Sequence, residues 1–389
     1  MDKDLKNLLT RGVDEIIGQK ELESKILSGK KLRVKLGIDP TSPDLHLGRS
    51  VPLLKVRDFQ ELGHQAVLIV GDFTGVIGDT SDKDSERPML DREVIEENKK
   101  NYFKQIGKII DLDKAELRYN SEWLEGLTYR EIGEHANQFS VADFIARDNI
   151  KRRLDSGKRV SLREMLYPLM QGYDSVAVEA DVEIGGVDQR FNLLAGRTLQ
   201  EHFKQEPQSI VATTFPILGL DGRKMSSSWG NTINFNTPPN DMFGKVMSMV
   251  DEQVEEYFKV CTRLPLEEIS SIMKSHPKEA KMKLAFEITK IYHGEESAKS
   301  AEENFNEAFS KGGLPKDIEE IHVKEGTLLV DVLISQGLID SKTEWRRLVK
   351  EGAVSYGDTG EKVISVDEVV SKDSVFRIGK HRFIKISLE

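Results

Sequence analysis

Leu32, Val34, Leu36 and Ile38 alternate with polar or small neighbours in "KLRVKLGID" (31–39), the two-residue period of a strand. Before it, residues 1 to about 30 space leucine and isoleucine among charges at helical intervals and predict helix. After it come a turn and "VPLLKVRDFQELG", an amphipathic helix closed by Gly63. "AVLIV" (66–70) is a short apolar run of the kind a buried parallel strand uses. Helical spacing returns through Ile95, Tyr102, Ile106 and Ile110. "AELRYN", "DVEIGG" (181–186) and "QSIVATTFPIL" (208–218) supply three further strands. Strand and helix alternating through short connections predict an α/β fold with a doubly wound parallel sheet, covered on both faces. Such sheets bind ligands at the carboxyl ends of their strands. The loops "DPTSPDLHLG", "GDFTGVIGD", "GGVDQ" and "GLDGRKMSSS" each follow a predicted strand, so they should converge on one cleft.

The pattern changes beyond about residue 236. From "TPPNDMFGKVMSMVDEQVEEYFKV" to about 310 the chain reads as all-α, and "SKGGLPKDIEE" (310–320) reads as a linker. From about 326 two short helices precede short strands. The expected domains are 1–235, Rossmann-like; 236–320, helical with the linker; and 326–389, small and α+β.

Composition narrows the class. With 38% hydrophobic and 31% charged residues the chain is globular, and no apolar run is long enough to span a bilayer. The N-terminus lacks the apolar core of a signal peptide, so a cytoplasmic protein with no membrane partner is expected. Cys261 is the single cysteine, which excludes an internal disulfide framework and any multi-cysteine zinc site. The net charge of -10 argues against a wholly basic, nucleic-acid-coating surface. It leaves room for a local basic face.

Ser42 can cap a helix with Pro43 at its first position, which puts His46 and Gly48 in the opening turns. Free N–H groups there make an anion site. The histidine can donate to a phosphoryl oxygen, Gly48 lets a flat base or ribose approach the backbone, and Arg49 adds a cation. A capped surface helix with an incidental histidine accounts for this stretch equally well. "DGRKMSSSWGN" (221–231) offers Lys224 and several hydroxyls on a glycine turn, which suits a polyphosphate whose charge rises during reaction. Alone it also reads as a serine-rich surface loop.

"HLGR" after the first strand and "KMSSS" after a later one together resemble the paired HIGH and KMSKS signatures of class I aminoacyl-tRNA synthetases. "LYPLMQGYDSV" (166–176) narrows the resemblance, since Tyr167, Gln171 and Asp174 share one helical face. The segment resembles the substrate helix of the bacterial-type tyrosyl-tRNA synthetases. There the tyrosine and glutamine hold the substrate ammonium and the aspartate accepts from the phenol hydroxyl.

The same resemblance implies that Thr74, Asp79 and Gln189 line the amino-acid site. It implies that Gly37, Asp39, Gly48, Gly186, Asp188, Met225, Ser226 and Ser227 meet ATP, and that Lys83 and Arg87 meet pyrophosphate. Thr41, His46, Arg49 and Lys224 would act at the phosphoryl group. The C-terminal stretch resembles a small RNA-binding domain shared with a ribosomal protein, with Arg346, Arg347 and Lys350 on one helical face for a phosphate backbone. The family's second HIGH histidine is Arg49 here, its second KMSKS lysine is Ser227, and Lys35 stands where some relatives carry a tyrosine.

The activity implied is tyrosine–tRNA ligation in two steps. ATP is a substrate, Mg2+ travels with its phosphates, and no metal is held by the protein itself. The partners implied are tyrosine, ATP, tRNA(Tyr) and a second copy of the chain in a homodimer. Three rivals stand beside it: a tryptophanyl enzyme, a nucleotidyltransferase that does not use tRNA, and a catalytically weakened RNA-binding or regulatory paralog.

Overall fold

The hydrophobic runs read as strands become a six-stranded sheet in the computed structural model, which describes residues 3–79, 89–214, 217–310, 318–357, 360–379 and 382–388. Its strands are β1 (Val13–Ile17), β2 (Arg33–Ile38), β3 (Gln65–Val70), β4 (Glu116–Tyr119), β5 (Val182–Gly186) and β6 (Ser209–Thr213), in the order β1-β6-β5-β2-β3-β4. All pairings are parallel except that of β1 with β6. The central strands bury side chains on both faces, as in Val34, Leu36, Val67 and Ile69, because helices cover both sides. The chain builds outward from β2 through β3 to β4, and on the other flank from β5 to β6. The crevice therefore opens above the carboxyl ends of β2 and β5, where the direction of winding reverses.

The N-terminal region corrects the expectation of continuous helix. Helix Lys3–Thr10 is followed by β1, which runs antiparallel along the edge of the sheet, and then by helix Gln19–Leu27. Gly12 and Gly18 bracket the strand with φ of +61° and +75°; Gly12 follows the end of the first helix and Gly18 caps the start of the second. Of the residues of β1 only Asp14 is exposed and the rest are half-buried, with Glu15 paired to Arg190 at 2.7 Å, so its apolar alternation is weak. The expected strand over 208–218 is shorter, ending at Thr213; Phe215 and Pro216 lie outside the described residues.

Three helices position the site: α1 (Leu47–Glu61), α2 (Leu162–Ala177) and α3 (Arg190–His202). A capping box starts α2, with Ser161 Oγ accepting from Arg163 N at 3.3 Å and Glu164 Oε1 accepting from Ser161 N at 2.9 Å. The same carboxylate is forked onto Arg153, with Nη2 to Oε1 at 3.0 Å, in a buried pair. Helices α2 and α3 touch at Gly172, where an added Cβ would come within 2.9 Å of the Ala195 carbonyl carbon and oxygen. Backbone cannot turn aside as a side chain can. Gly172→Ala is therefore expected to destabilise the fold by about 1–3 kcal/mol, read as a lowered urea midpoint.

The chain divides into two compact units, Met1–Thr237 with Met249–Ala280 and Pro238–Ser248 with Lys281–Glu389. The second contains the packed helices Pro239–Met247 and Glu295–Ser310, and a C-terminal α+β module. In that module β7 (Glu320–Val323), β8 (Val354–Tyr356), β9 (Ser374–Ile378) and β10 (Arg382–Leu388) form a sheet ordered β7-β10-β9-β8. Helices Leu329–Ser335 and Lys342–Lys350 close its core around Leu333, Trp345, Phe376 and Ile384. No helix among the described residues is long and apolar enough to cross a membrane.

Candidate active site

The loop after β2 does not start its helix where Ser42 and Pro43 suggest. Helix α1 begins at Leu47, and its N-cap is His46, whose Nδ1 accepts from Gly48 N at 3.2 Å. The physical reason lies 190 residues downstream in the chain. Phe235 N donates to Leu45 O at 2.8 Å and Leu47 N to Ile233 O at 3.0 Å, which holds residues 45–47 extended against 233–235. Helical turns cannot form until that pairing ends.

The loop is also held from the side by the region read only as an apolar stripe. Asn98 Nδ2 donates to Pro40 O at 2.9 Å and Tyr102 OH to Ser42 O at 2.8 Å. Gln105 Nε2 donates to Pro43 O while its Oε1 accepts from Leu45 N, both at 2.9 Å. The signal was present in the sequence: Asn98, Tyr102 and Gln105 repeat at helical spacing beside the apolar positions.

With Nδ1 acting as acceptor, the neutral His46 ring carries its proton on Nε2. Burial pushes its pKa down to about 3, helped by the cations Arg49 and Lys224, so His46 is a neutral donor near pH 7. A Cβ on Gly48 would stand 3.0 Å from the His46 ring, so the glycine leaves room for that ring to lie against the first turn. Arg49 is exposed at the cleft.

The "KMSSS" loop turns at Gly222, φ +78°. Asn231 latches it: Oδ1 accepts from Ser226 N at 2.9 Å, and Nδ2 donates to Asp221 Oδ1 at 2.7 Å and to Lys224 O at 3.1 Å. Met225 is buried beneath, with its N–H on Ile217 O at 3.0 Å. Lys224 Nζ lies 3.4 Å from Asp188 Oδ2 of the "GGVDQ" loop, so the two loops meet.

On the opposite wall Asp39 accepts from Thr74 Oγ1 at 2.7 Å and from Tyr167 OH at 2.8 Å. Burial pushes Asp39 up to about 6 despite both bonds. Asp79 accepts from Gln189 Nε2 at 2.8 Å. Gln171 Nε2 donates to Glu183 Oε1 at 3.1 Å. Asp174 lies behind the wall, 4% exposed, accepting from Trp123 Nε1 at 2.8 Å and Asn120 Nδ2 at 3.3 Å. Burial pushes its pKa up to about 7, with Lys35 the strongest opposing influence.

These residues surround one cleft of about 400 Å³. Of the residues singled out in the sequence, Gly37, Asp39, Thr41, His46, Gly48, Arg49, Asp79, Tyr167, Gln171, Gly186, Asp188, Gln189, Lys224, Met225, Ser226 and Ser227 line it. Thr74 and Asp174 are buried and are not part of the lining. Lys83 and Arg87 lie outside the described residues. Arg346, Arg347 and Lys350 belong to the second compact unit, exposed on the helix face opposite buried Trp345 and Leu348. The sequence reading missed Asn98, Gln105, Asn120 and Trp123, whose polar side chains act across long sequence separations, and Asn231, which latches its own loop.

The family model described as tRNA synthetases class I (W and Y) matches residues 27–310. Among curated proteins, the chain is 45% identical to the tyrosine–tRNA ligase of Thermotoga maritima over 390 residues, covering 98% of this chain and 96% of that one. It is 40% identical to tyrosine–tRNA ligase 2 of Clostridium acetobutylicum over 402 residues, covering 100% and 99%. Among solved structures, a C-terminally truncated mitochondrial tyrosyl-tRNA synthetase of Aspergillus nidulans superposes with a TM-score of 0.68 at 22% identity, over 79% of this chain and 95% of that one. The tyrosyl-tRNA synthetase of Archaeoglobus fulgidus complexed with L-tyrosine gives 0.61 at 23% identity, over 77% and 100%. At those identities the two structures show the fold.

Proposed function

The chain belongs to the class I tRNA synthetases and, within them, to the tyrosine–tRNA ligases, and from that premise we propose how its cleft works. The enzyme joins tyrosine to ATP as tyrosyl-adenylate, then transfers the tyrosyl group to the 3′ end of tRNA for protein synthesis. The observation that supports this use of the cleft is the meeting of His46 and Lys224, from two loops, with the Tyr167–Gln171 face of α2.

In the first step the tyrosine carboxylate attacks the α-phosphate in line and pyrophosphate leaves. No covalent nucleophile on the protein is needed; positioning and charge stabilisation supply the rate. His46 Nε2–H, Lys224, Arg49 and Thr41 stabilise the phosphoryl oxygens. Lys83 and Arg87 meet the departing pyrophosphate. Gly37, Asp39, Gly48, Gly186, Asp188, Met225, Ser226 and Ser227 contact ATP. Tyr167 and Gln171 hold the ammonium, with Thr74, Asp79 and Gln189 around the amino acid. Asp174 accepts from the phenol hydroxyl, because a carboxylate with two donors on it still has lone pairs for a third.

Mg2+ accompanies the ATP phosphates in this reading. Among the described residues no three His, Cys, Asp or Glu side chains group to hold a metal, and Asp39 and Asp79 already accept from neighbouring side chains. In this reading the nucleotide carries the cation, and no step here is routed through it.

The helical segment and the C-terminal module, with Arg346, Arg347 and Lys350, would hold tRNA(Tyr), following the three-part division 1–235, 236–320 and 326–389. A homodimer belongs to the same reading, as membership of this family implies. We place the enzyme in the cytoplasm. The relatives are named as ligases, which favours this reading over a paralog that binds RNA without chemistry.

Tyrosine-dependent exchange of labelled pyrophosphate into ATP tests it, with phenylalanine and tryptophan as controls. Exchange with tyrosine alone is expected. Exchange with tryptophan instead, or with none of the three, would overturn it.

A further inference from the structure

Beneath the amino-acid side of the cleft lies a cross-strand ion pair that the reading above leaves without a role. Lys35 on β2 and Glu183 on β5 are direct neighbours in the register at the point where the winding reverses. They are 0% and 1% exposed. Lys35 Nζ donates to Glu183 Oε1 at 2.9 Å, to Ser175 Oγ at 2.8 Å and to Gln171 O at 2.9 Å. Those three acceptors use all three N–H donors of an ammonium group. Glu183 Oε1 also accepts from Gln171 Nε2 at 3.1 Å, and Oε2 from Ser175 Oγ at 3.1 Å. Both partners thus grip α2 on the turn that carries Gln171.

A side-chain amide can present either its oxygen or its nitrogen, and the choice decides what it can bind. A carboxylate oxygen only accepts, so Glu183 compels Gln171 to turn its nitrogen inward. The Gln171 carbonyl oxygen is then left for the cleft, which this side chain lines. Lys35 keeps the carboxylate in place, since a buried charge without its partner is strongly unfavourable.

We infer that the Lys35–Glu183 pair is a positioning device that selects the amide orientation of Gln171, so that a carbonyl oxygen receives the ammonium of the amino-acid substrate. This rests on the tyrosine-ligase reading, in which Gln171 meets that ammonium. Lys35 does not line the cleft, and Glu183 reaches its wall with only 1% of its surface exposed, so both act through Gln171.

The test is equilibrium binding of L-tyrosine and of 3-(4-hydroxyphenyl)propionate, the same molecule without its ammonium. It uses the full chain as wild type, as Glu183→Gln, and as the double variant Lys35→Met with Glu183→Gln. Glutamine at 183 offers either atom to Gln171 and removes the bias. The double variant also leaves no buried ammonium unpaired, so its unfolding midpoint is expected to stay nearer wild type. Both variants are expected to bind tyrosine about 10- to 100-fold more weakly relative to the deaminated analogue, the scale of one hydrogen bond to a charged group. Glu183→Gln should bind the analogue as wild type does, while the double variant is compared only by that ratio because Lys35 also acts on Asp174 at the phenol end. Equal losses for both ligands, or unchanged tyrosine affinity, would overturn the inference. So would recovery of tyrosine affinity in the double variant, which would trace the loss to a stranded Lys35. A wild-type chain that binds no tyrosine would sink the ligase reading itself.

Discussion

Replacing His46 with asparagine is expected to lower tyrosine-dependent pyrophosphate exchange by about 10²–10³-fold, the usual cost of removing one donor aimed at developing charge. The fold should remain within about 1 kcal/mol of wild type, because asparagine is among the best N-cap residues and can accept from Gly48 N in place of Nδ1. The two ring nitrogens therefore separate into two measurable roles. Nδ1 caps α1, with the Gly48 amide at 3.2 Å, and Nε2–H is the donor for the phosphoryl group. His46→Ala should lose both, adding a stability loss of about 1 kcal/mol to the same kinetic defect. Since burial holds the imidazole pKa down to about 3, the His46-dependent factor should be flat from pH 5 to pH 9, roughly the range open to assay. Near-wild-type exchange by His46→Asn would remove His46 from the chemistry.

Asp174→Asn should cost tyrosine about 100-fold in kcat/KM while changing the poor reaction with phenylalanine little. Both groups facing Asp174 are donors, Trp123 Nε1 at 2.8 Å and Asn120 Nδ2 at 3.3 Å. An asparagine must turn its own nitrogen toward one of them or toward the phenol hydroxyl, leaving a buried donor unmet. Rejection of a substrate lacking a hydroxyl by a site built to bind one reaches about 10⁵, and tyrosine against phenylalanine is the standard illustration of that rule.

The pH dependence has a definite sign. Burial raises Asp174 from 3.8 to about 7, so between those values the folded chain keeps a proton that the unfolded chain has lost. This group's contribution to stability therefore falls as pH rises through that window. Tyrosine needs the ionised acceptor, so its kcat/KM should rise as pH approaches about 7. In Asp174→Asn the limb near 7 should vanish. An unchanged profile, or an unchanged tyrosine-to-phenylalanine ratio, would exclude Asp174 from specificity.

By itself the sequence determined the parallel sheet, the loops that meet above it, and the residue types brought to the cleft. Each of those is written within one element: an alternation in 31–39, an apolar run in 66–70, a polar helical face at Tyr167, Gln171 and Asp174. What depends on a partner far along the chain was not legible. The edge strand β1 exists because β6 offers it an unpaired side. The cap of α1 moved from Ser42 to His46 because residues 233–235 hold 45–47 extended. Lys35, which the alternation in 31–39 places on the polar row, became half of a buried pair only when β5 came alongside β2. Local periodicity encodes which face of an element is buried. Only the tertiary structure decides what that face meets, because hydrogen-bond partners are matched through space after the elements pack.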